Sequence, residues 1–189
     1  MRIISGKFKG SILSMPDSKF TRPLKDQAKE SIFNLLIHSN KISFQFEKKN
    51  ILDLYSGSGS FGLEALSRKA SKVCFVEKQI ETIKILEKNI NKLNCKKNTT
   101  ILKEDVFKII ENNFFFKKKF DLIFCDPPFK DLILEKLIDT IKNKDLLKKD
   151  GIIIFHRNKN AKENLPSYFK IIEERLYGIS KVIFGCFLL

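Results

Sequence analysis

The fold of this chain is most restricted by the segment ILDLYSGSGSFG, which starts at Ile51 and runs from an apolar stretch straight into a group of glycines. Gly57, Gly59 and Gly62 form the pattern G-x-G-x-x-G, and residues with helical spacing follow them. A second apolar stretch, KVCFV, then ends at Glu77. A strand, a glycine turn, a helix and a second strand that ends in an acid are typical of a nucleotide-binding βαβ unit.

The same alternation continues along the rest of the chain. Apolar runs that we interpret as strands begin near residues 51, 72, 99, 120 and 151, with helical patterns near 60–70, 79–94, 106–113 and 131–143. Nearly continuous apolar strands separated by helices predict a parallel sheet covered on both faces, with right-handed crossovers. After Pro166, two β-like segments joined at Gly178 predict a terminal antiparallel hairpin at the sheet edge. The expected fold is therefore α/β and Rossmann-like.

The N-terminal part follows a different pattern, and we treat residues 1–49 as a small extension of a main domain at residues 50–189. Strand-like pieces surround the glycines of SGKFKGS, which predicts a β-hairpin. A helical pattern follows, in which Thr21 is a candidate cap and Pro23 suits the first turn. We expect this extension to contact the substrate.

The net charge of +14 predicts a polyanionic partner, with nucleic acid as the first candidate. Lysine makes up most of the excess, which is also typical of proteins from A/T-rich genomes, so the few arginines are the more informative residues. Residues 1–29 hold seven basic and two acidic side chains. We therefore predict a phosphate-binding patch in this region, composed of Arg2, Lys7, Lys9, Arg22 and Lys25.

The remaining composition indicates an intracellular protein without a metal centre. The four cysteines are scattered and form no C-x-x-C pair, so we interpret them as reduced. The two histidines are far apart in sequence and no cluster of metal ligands surrounds either. No stretch is long and apolar enough to span a bilayer, and the N-terminus lacks the core of a signal peptide. We expect a cytoplasmic location and no membrane partner.

The glycine loop and the acids around it form a candidate cofactor site, and two ligands fit them: a dinucleotide or S-adenosylmethionine. Glycines allow a ligand to approach the backbone, and Glu77 at a strand end can bind both hydroxyls of a ribose. Asp53, just before the loop, favours S-adenosylmethionine, since a carboxylate suits a cationic group better than a pyrophosphate. Asp105 can accept the amino group of an adenine, with Val106 beside it, or it can cap the next helix.

The segment FDLIFCDPPF supplies a candidate catalytic site. Asp126 ends a buried strand, and its carboxylate together with the carbonyl of Pro127 can accept the hydrogens of an exocyclic amine. Pro127 and Pro128 stiffen the chain, while Phe129 can stack on the flat face of a base. Catalysis would then consist mainly of positioning the amine. The alternative is a tight turn in which Asp126 caps the next helix.

Taken together, RIISGKFKG, TRPLKDQAKESIFNLL, ILDLYSGSGSFGLEALSRKASKVCFVE, FDLIFCDPPF and YGISKVIF resemble the bacterial 16S rRNA guanine-N2 methyltransferases of the RsmD type. The resemblance covers nearly the whole chain. It implies an enzyme that uses S-adenosylmethionine to methylate N2 of one guanine in 16S rRNA, within the small ribosomal subunit or an assembly intermediate. The alternatives are methylation of a DNA adenine or a protein glutamine, and a non-catalytic RNA-binding protein.

The resemblance also implies roles for individual residues. Its cofactor residues correspond to Asp53, Gly57, Gly59, Glu77 and Asp105, and its catalytic tetrad to residues 126–129. Its N-terminal block corresponds to Arg22, Pro23 and Asp26, which implies that this block lies near the cofactor and the RNA. Together with the basic patch, this makes Arg2, Arg22 and Lys25 the candidate substrate-binding residues. Three residues depart from the family pattern: Gln27 and Lys29 stand where arginine is frequent, and His156 stands where an acid is frequent.

Overall fold

The computed structural model describes residues 1–16, 26–112, 115–116, 118–128, 134–162 and 164–188. Its helices are α1 (Asp26–His38), α2 (Ser60–Ser67), α3 (Ile80–Lys92), α4 (Val106–Glu111) and α5 (Leu134–Asn143), with a short 3-10 helix at Lys96–Asn98. Its strands are β1 (Asn50–Leu54), β2 (Lys72–Val76), β3 (Thr99–Leu102), β4 (Phe120–Cys125), β5 (Leu147–Asn158), β6 (Phe169–Tyr177) and β7 (Ser180–Phe187).

The seven strands form one sheet in the order β3-β2-β1-β4-β5-β7-β6. The pairs from β3 to β5 are parallel, and β7 pairs antiparallel with both β5 and β6. The predicted parallel sheet with a C-terminal hairpin is confirmed, and Gly178 lies in the hairpin turn with a φ of 60°. Because the chain order runs outward in both directions from β1 and β4, a crevice opens at their carboxyl ends.

Strand β5 is longer than its apolar residues predict. It begins at Leu147, which pairs with Phe120, and the register shifts between Phe120 and Leu122. The residues from Lys148 to Asp150 are exposed. Their polar sequence resembles a loop, which explains why the prediction placed the start of this strand at Gly151.

The sheet separates two hydrophobic cores. Ile51, Leu122 and Ile154 belong to the core that also contains residues of α1, α2 and α3. Their neighbours along the strands, including Leu52 and Ile153, belong to the core on the opposite face, together with residues of α4 and α5. Successive strand residues thus alternate between two buried faces, as expected of a parallel sheet covered on both sides.

The N-terminal segment packs into the first of these cores, with Ile3 and Leu13 both buried. Within the described residues, the predicted hairpin consists of an antiparallel bridge between Arg2 and Ile12 with flanking backbone bonds, in which the N–H of Ile3 donates to Ser11 and that of Leu13 to Met1, each at 2.9 Å. Gly6 has a φ of 83°, and a Cβ atom there would lie 1.9 Å from the carbonyl oxygen of Ser67. A glycine is therefore required where this segment crosses α2. The division of the chain after residue 49 stays a prediction, since the extension shares a core with the rest.

Glu64 of α2 anchors the same segment through a buried polar network. The backbone N–H groups of Ile4 and Ser5 donate to its carboxylate at 2.7 and 3.0 Å, and Nε of Arg68 donates at 2.8 Å. Lys29 of α1 is fully buried, donates to the carbonyl of Arg2 and lies 4.0 Å from Glu64. Burial lowers the pKa of Lys29, while the nearby carboxylates oppose that shift. Lys29 therefore joins α1 to the N-terminal segment and does not face an RNA.

Several other expectations can be compared with the described residues. Helix α1 begins at Asp26, so the predicted helix start at Thr21 and Pro23 lies outside the described residues. The four cysteines are free thiols, and burial raises the pKa of Cys74 to about 12. Among the described residues, no helix has the length and apolar character needed to cross a membrane.

Candidate active site

A cavity of about 400 Å³ opens at the carboxyl ends of β1, β2 and β4, where the topology predicts a ligand crevice. Its walls include Asp53, Gly57, Glu77, Val106 and Asp126, each of which the sequence singled out. The cavity therefore brings most of the predicted cofactor residues and the start of the predicted catalytic tetrad into one space, whereas Gly59 and Asp105 are not part of its lining.

Asp53 is the most deeply buried acid of the cavity, with 1% of its surface exposed. Its Oδ2 accepts the backbone N–H of Gly62 at 3.0 Å, whereas its buried Oδ1 has no hydrogen-bond partner among the described residues. Burial raises the pKa of Asp53 well above its usual range, and the negative charges of Asp126 and Glu77 add to the shift. A buried acceptor without a partner suits a ligand that brings a positively charged donor.

Glu77 follows β2 and is held by three backbone N–H groups. Its Oε2 accepts from Gly57 at 2.9 Å, and its Oε1 accepts from Lys78 and Gln79, each at 2.9 Å. The carboxylate is thus fixed at the cavity wall and is not a mobile strand end. Because a carboxylate oxygen has more than one lone pair, Glu77 can still accept the hydroxyls of a ribose.

The three glycines of the loop serve different purposes. Gly57 and Gly59 have φ angles of 55° and 79°, a conformation that side chains disfavour. A Cβ on Gly59 would lie 2.3 Å from Leu86, and one on Gly62 would lie 2.4 Å from Phe75, so both glycines permit packing. A Cβ on Gly57 would have no neighbour within 4 Å. At Gly57, which lines the cavity, the positive φ and not the packing favours a glycine.

Asp105 is the N-cap of α4, which is one of its two predicted roles. Its Oδ1 accepts the backbone N–H of Phe107 at 3.0 Å, and its Oδ2 accepts from Nζ of Lys78 at 3.0 Å. Burial alone would raise its pKa, but these hydrogen bonds outweigh burial and the pKa lies below the usual range. Val106, and not Asp105, lines the cavity.

Asp126 follows β4 and begins the DPPF segment. Its backbone N–H donates to the carbonyl of Leu54 at 3.4 Å, which continues the pairing with β1. Its Oδ1 lies 2.7 Å from Nδ1 of His156. Pro127 and Pro128 line the cavity beside it. Phe129 lies outside the described residues, so its stacking role stays a prediction.

Two residues at the end of β5 were not predicted as site residues, although both contact the DPPF segment. His156 contacts the carboxylate of Asp126, and Nη1 of Arg157 donates to the carbonyl of Pro128 at 3.3 Å. Their position follows from the parallel register, in which Cys125 lies opposite Phe155. The sequence indicates where β4 and β5 end but not the register between them, so it could not reveal that these two residues contact the DPPF segment.

The predicted basic patch is partly described. Arg2, Lys7 and Lys9 are exposed, whereas Arg22 and Lys25 lie outside the described residues. The two lysines, together with residues at the end of α3, border a second hollow of about 360 Å³. From there the N-terminal segment continues to Met15 and Pro16, which line the first cavity. Among the described residues, no group of three acids, cysteines or histidines is arranged to hold a metal ion.

Comparison with known proteins identifies relatives over almost the full chain. The family described as "Conserved hypothetical protein 95" matches residues 1–186. A Bacillus subtilis protein described as "Putative rRNA methyltransferase YlbH" is 33% identical over 161 residues, which cover 85% of this chain and 84% of that protein. The "Ribosomal RNA small subunit methyltransferase D" of Haemophilus influenzae is 31% identical over 185 residues, which cover 95% of this chain and 90% of that protein.

A solved structure agrees with the fold as well. The protein described as "Putative methyltransferase yhhF from Escherichia coli" has a TM-score of 0.81 and a sequence identity of 25%. The superposition covers 98% of this chain and 96% of that one. The predicted Rossmann-like methyltransferase fold, with its C-terminal hairpin, is thereby confirmed.

Proposed function

Since the chain belongs to the family of the ribosomal RNA small subunit methyltransferase D proteins, we propose that it methylates the exocyclic N2 of one guanine in 16S rRNA, with S-adenosylmethionine as the methyl donor. The observation that carries the proposal is the single cavity shared by Asp53, Glu77 and Asp126. One part of it suits a cationic nucleoside, and the other part suits a flat base with an amino group.

The cofactor part fits S-adenosylmethionine better than a dinucleotide. When bound, S-adenosylmethionine supplies a methyl group on a positively charged sulfonium. Asp53 presents a buried oxygen without a partner, which a cationic group satisfies and a pyrophosphate repels. Glu77 would bind the ribose hydroxyls, and Val106 would pack beside the adenine.

The acceptor part holds the amine in place for transfer. An exocyclic amine of guanine is a weak nucleophile because its lone pair is delocalised into the ring. The carboxylate of Asp126 and the carbonyl of Pro127 would accept its two hydrogens and turn the lone pair toward the methyl group. The nitrogen would gain the methyl carbon as its bond to sulfur breaks, which leaves a neutral thioether, and the proton lost by the amine would pass by way of the Asp126 carboxylate to water. The contribution of the protein is orientation and exclusion of water.

Recognition of the RNA would depend on the N-terminal segment and on the shape of the substrate. Arg2, Lys7 and Lys9 are exposed cations that can bind phosphates, with Arg22 and Lys25 as further candidates. Phosphate contacts carry no sequence information, and one flipped guanine identifies a base but not its position. We therefore propose that the target is an rRNA loop presented by the small subunit or an assembly intermediate, which places the reaction in the cytoplasm.

A methyl-transfer assay tests the proposal directly. Small subunits from cells that lack this protein are incubated with the purified enzyme and radiolabelled S-adenosylmethionine, beside protein-free 16S rRNA, DNA and a protein pool. We expect label in the RNA of the subunits and, after digestion, in N2-methylguanosine. Label in N6-methyladenine of DNA or in protein glutamine would replace the proposed substrate. Absence of label with any acceptor, at saturating cofactor, would favour a non-catalytic RNA-binding protein.

A further inference from the structure

His156 lies directly behind the carboxylate that the proposed reaction uses. The parallel register of β4 and β5 ends at Cys125 and Phe155, so the next residues of the two strands, Asp126 and His156, lie side by side. Nδ1 of His156 is 2.7 Å from Oδ1 of Asp126. The imidazole is 5% exposed, whereas Asp126 lines the cavity. His156 therefore contacts the acid from the protein interior.

The direction of this hydrogen bond follows from the chemistry of the two groups. An ionised carboxylate can only accept, so Nδ1 of His156 must carry the hydrogen, whether the ring is neutral or protonated. The bond occupies Oδ1 of Asp126. Since Asp126 lines the cavity, Oδ2 is the carboxylate oxygen that this bond leaves for an amine.

The surrounding charges make such a donor useful. Asp126, Asp53 and Glu77 line one cavity, and the charges of Asp126 and Glu77 act on Asp53. A carboxylate next to two other acids is repelled by them and tends to rotate away. A donor on the side away from the cavity opposes that rotation. The neighbouring Arg157 reinforces the same segment, since it donates to the carbonyl of Pro128.

We propose that His156 is a positioning residue for methyl transfer: its Nδ1–H fixes the rotation of the Asp126 carboxylate, so that Oδ2 is presented to the amine of the substrate. His156 acts through Asp126 and does not contact the substrate. The inference rests on the proposed function, because it assigns Asp126 the role of amine acceptor.

Nuclear magnetic resonance tests the contact without any substrate. The chain has only two histidines, His156 and the exposed His38, so a ¹⁵N-histidine spectrum contains two imidazoles. We expect a protonated Nδ1 on His156 throughout the neutral pH range and the ordinary Nε2–H tautomer on neutral His38. In Asp126→Ala, the signal of His156 should move toward that of His38. A deprotonated Nδ1 on His156 in the wild type would overturn the proposal.

Kinetics of matched variants then separate positioning from structural support. His156→Leu removes the donor, and His156→Asn places an amide N–H near the position of Nδ1. We expect kcat to fall about 10- to 100-fold in the leucine variant, the scale of a misplaced catalytic group. The KM for S-adenosylmethionine should change by less than about twofold, and the asparagine variant should recover most of the loss. Equal losses in both variants, with normal circular dichroism and cofactor binding, would contradict a role for the donor.

A double variant provides the last control. In an Asp126→Asn background, His156→Leu should lower kcat by no more than about twofold, since the two residues act as one unit. A full additional loss would indicate that His156 supports the fold independently of Asp126. If wild-type enzyme methylates some acceptor other than guanine, the proposed function fails, while the same variants assayed on that acceptor still decide the role of His156. If it methylates nothing, the spectrum alone decides whether His156 holds Asp126.

Discussion

The backbone N–H of Gly57 donates to Oε2 of Glu77 across 2.9 Å, and this bond ties the glycine loop to the end of β2. The acid at the end of the second strand thus holds the glycine loop in place, in addition to its proposed role of binding a ribose. Substitution of Glu77 has two consequences, one for the ligand and one for the loop itself.

We expect Glu77→Ala to weaken the binding of S-adenosylmethionine by about 1.5–3 kcal/mol, the scale of charge-assisted hydrogen bonds. Isothermal titration calorimetry measures the change. Glu77→Gln is the matched control, since an amide oxygen can keep the bond from Gly57 while the charge is lost. Wild-type affinity in the alanine variant would remove Glu77 from the site, and NADH binding of comparable strength would support a dinucleotide enzyme.

Asp53 is expected to limit stability in the absence of a ligand. Burial, the main cause, raises the pKa of Asp53 in the folded protein above its value of about 3.9 in the unfolded chain. The carboxyl therefore lowers the free energy of unfolding as the pH rises from about 3.9 through the pKa of the folded protein. Asp53→Asn removes this titration and can still accept the N–H of Gly62. We expect a gain in the free energy of unfolding of about 1–3 kcal/mol at neutral pH, with loss of cofactor binding.

Urea titrations of both proteins at several pH values measure this difference. The gain from Asp53→Asn should shrink as pH falls toward about 3.9, where the carboxyl is protonated in both states. An asparagine variant that is less stable than wild type at neutral pH would show that the ionised carboxylate is well stabilised, and the fit of a cation to Oδ1 would lose its basis.

Asp126→Ala separates chemistry from cofactor binding. Because the carboxylate acts on the orientation of the amine, its loss should lower kcat by about 10²–10³-fold, the scale of a removed transition-state contact. The affinity for S-adenosylmethionine, measured by calorimetry, should change by far less. A variant that methylates at nearly the wild-type rate would leave Asp126 with a structural role only.

Glu64 should be essential for stability although it lies outside the cavity. Glu64→Ala would remove the fully buried acid beside Lys29 and leave the N–H groups of Ile4 and Ser5 without their acceptors. We expect a loss of about 3–5 kcal/mol in the free energy of unfolding, the scale for breaking a buried ion pair. Glu30→Ala, on the exposed side of α1, is the control. A loss below about 1 kcal/mol would mean that the network is replaced by water.

The basic N-terminal segment should contribute to RNA affinity in a salt-dependent way. We expect the combined change of Lys7 and Lys9 to alanine to weaken subunit methylation and to reduce the slope of log affinity against log salt by about 0.7–0.9 per lost phosphate contact. Lys149 is an exposed lysine near the start of β5, outside the N-terminal segment, and serves as the control. An equal effect of Lys149→Ala would show that only the total charge of the protein matters, and not the position of the lysines.

Arg22→Ala should weaken the same activity most at low salt and less as salt rises, because a variant with one phosphate contact fewer loses affinity less steeply with salt. Methylation rates of the variant at low and high salt measure this effect. We also expect subunits to be methylated much faster than protein-free 16S rRNA. Equal labelling of both, at the same single guanine, would contradict a role for ribosomal proteins in defining the target.

The sequence was sufficient to predict the acids that surround the cavity. Asp53, Glu77 and Asp126 each end or interrupt an apolar strand, and parallel strands place such residues at one edge of the sheet. Asp105 could not be assigned in the same way, because an acid after a strand suits a ligand and a helix cap equally well. Its bond to Phe107 depends on the backbone of α4, which the sequence does not specify.

The contacts that the sequence did not reveal depend on register and on buried charge. His156 meets Asp126 only because β4 and β5 align Cys125 with Phe155. Lys29 and Glu64 are charged helix residues of the kind that normally faces solvent. Both are nevertheless fully buried, because the N-terminal segment covers them. Such pairs arise from packing between distant parts of the chain, which local periodicity cannot report.

The anchoring of the N-terminal segment also determines when this segment can fold during synthesis. Ile4 is translated 60 residues before Glu64, and Ser14 is translated 75 residues before its partner Asn89. At about 5–20 residues per second, the nascent segment spends several seconds without the side chains that hold it. Translation must therefore pass α3 before the part of the cavity wall that contains Met15 and Pro16 can form. Until then, the nascent chain on the ribosome has an incomplete cavity.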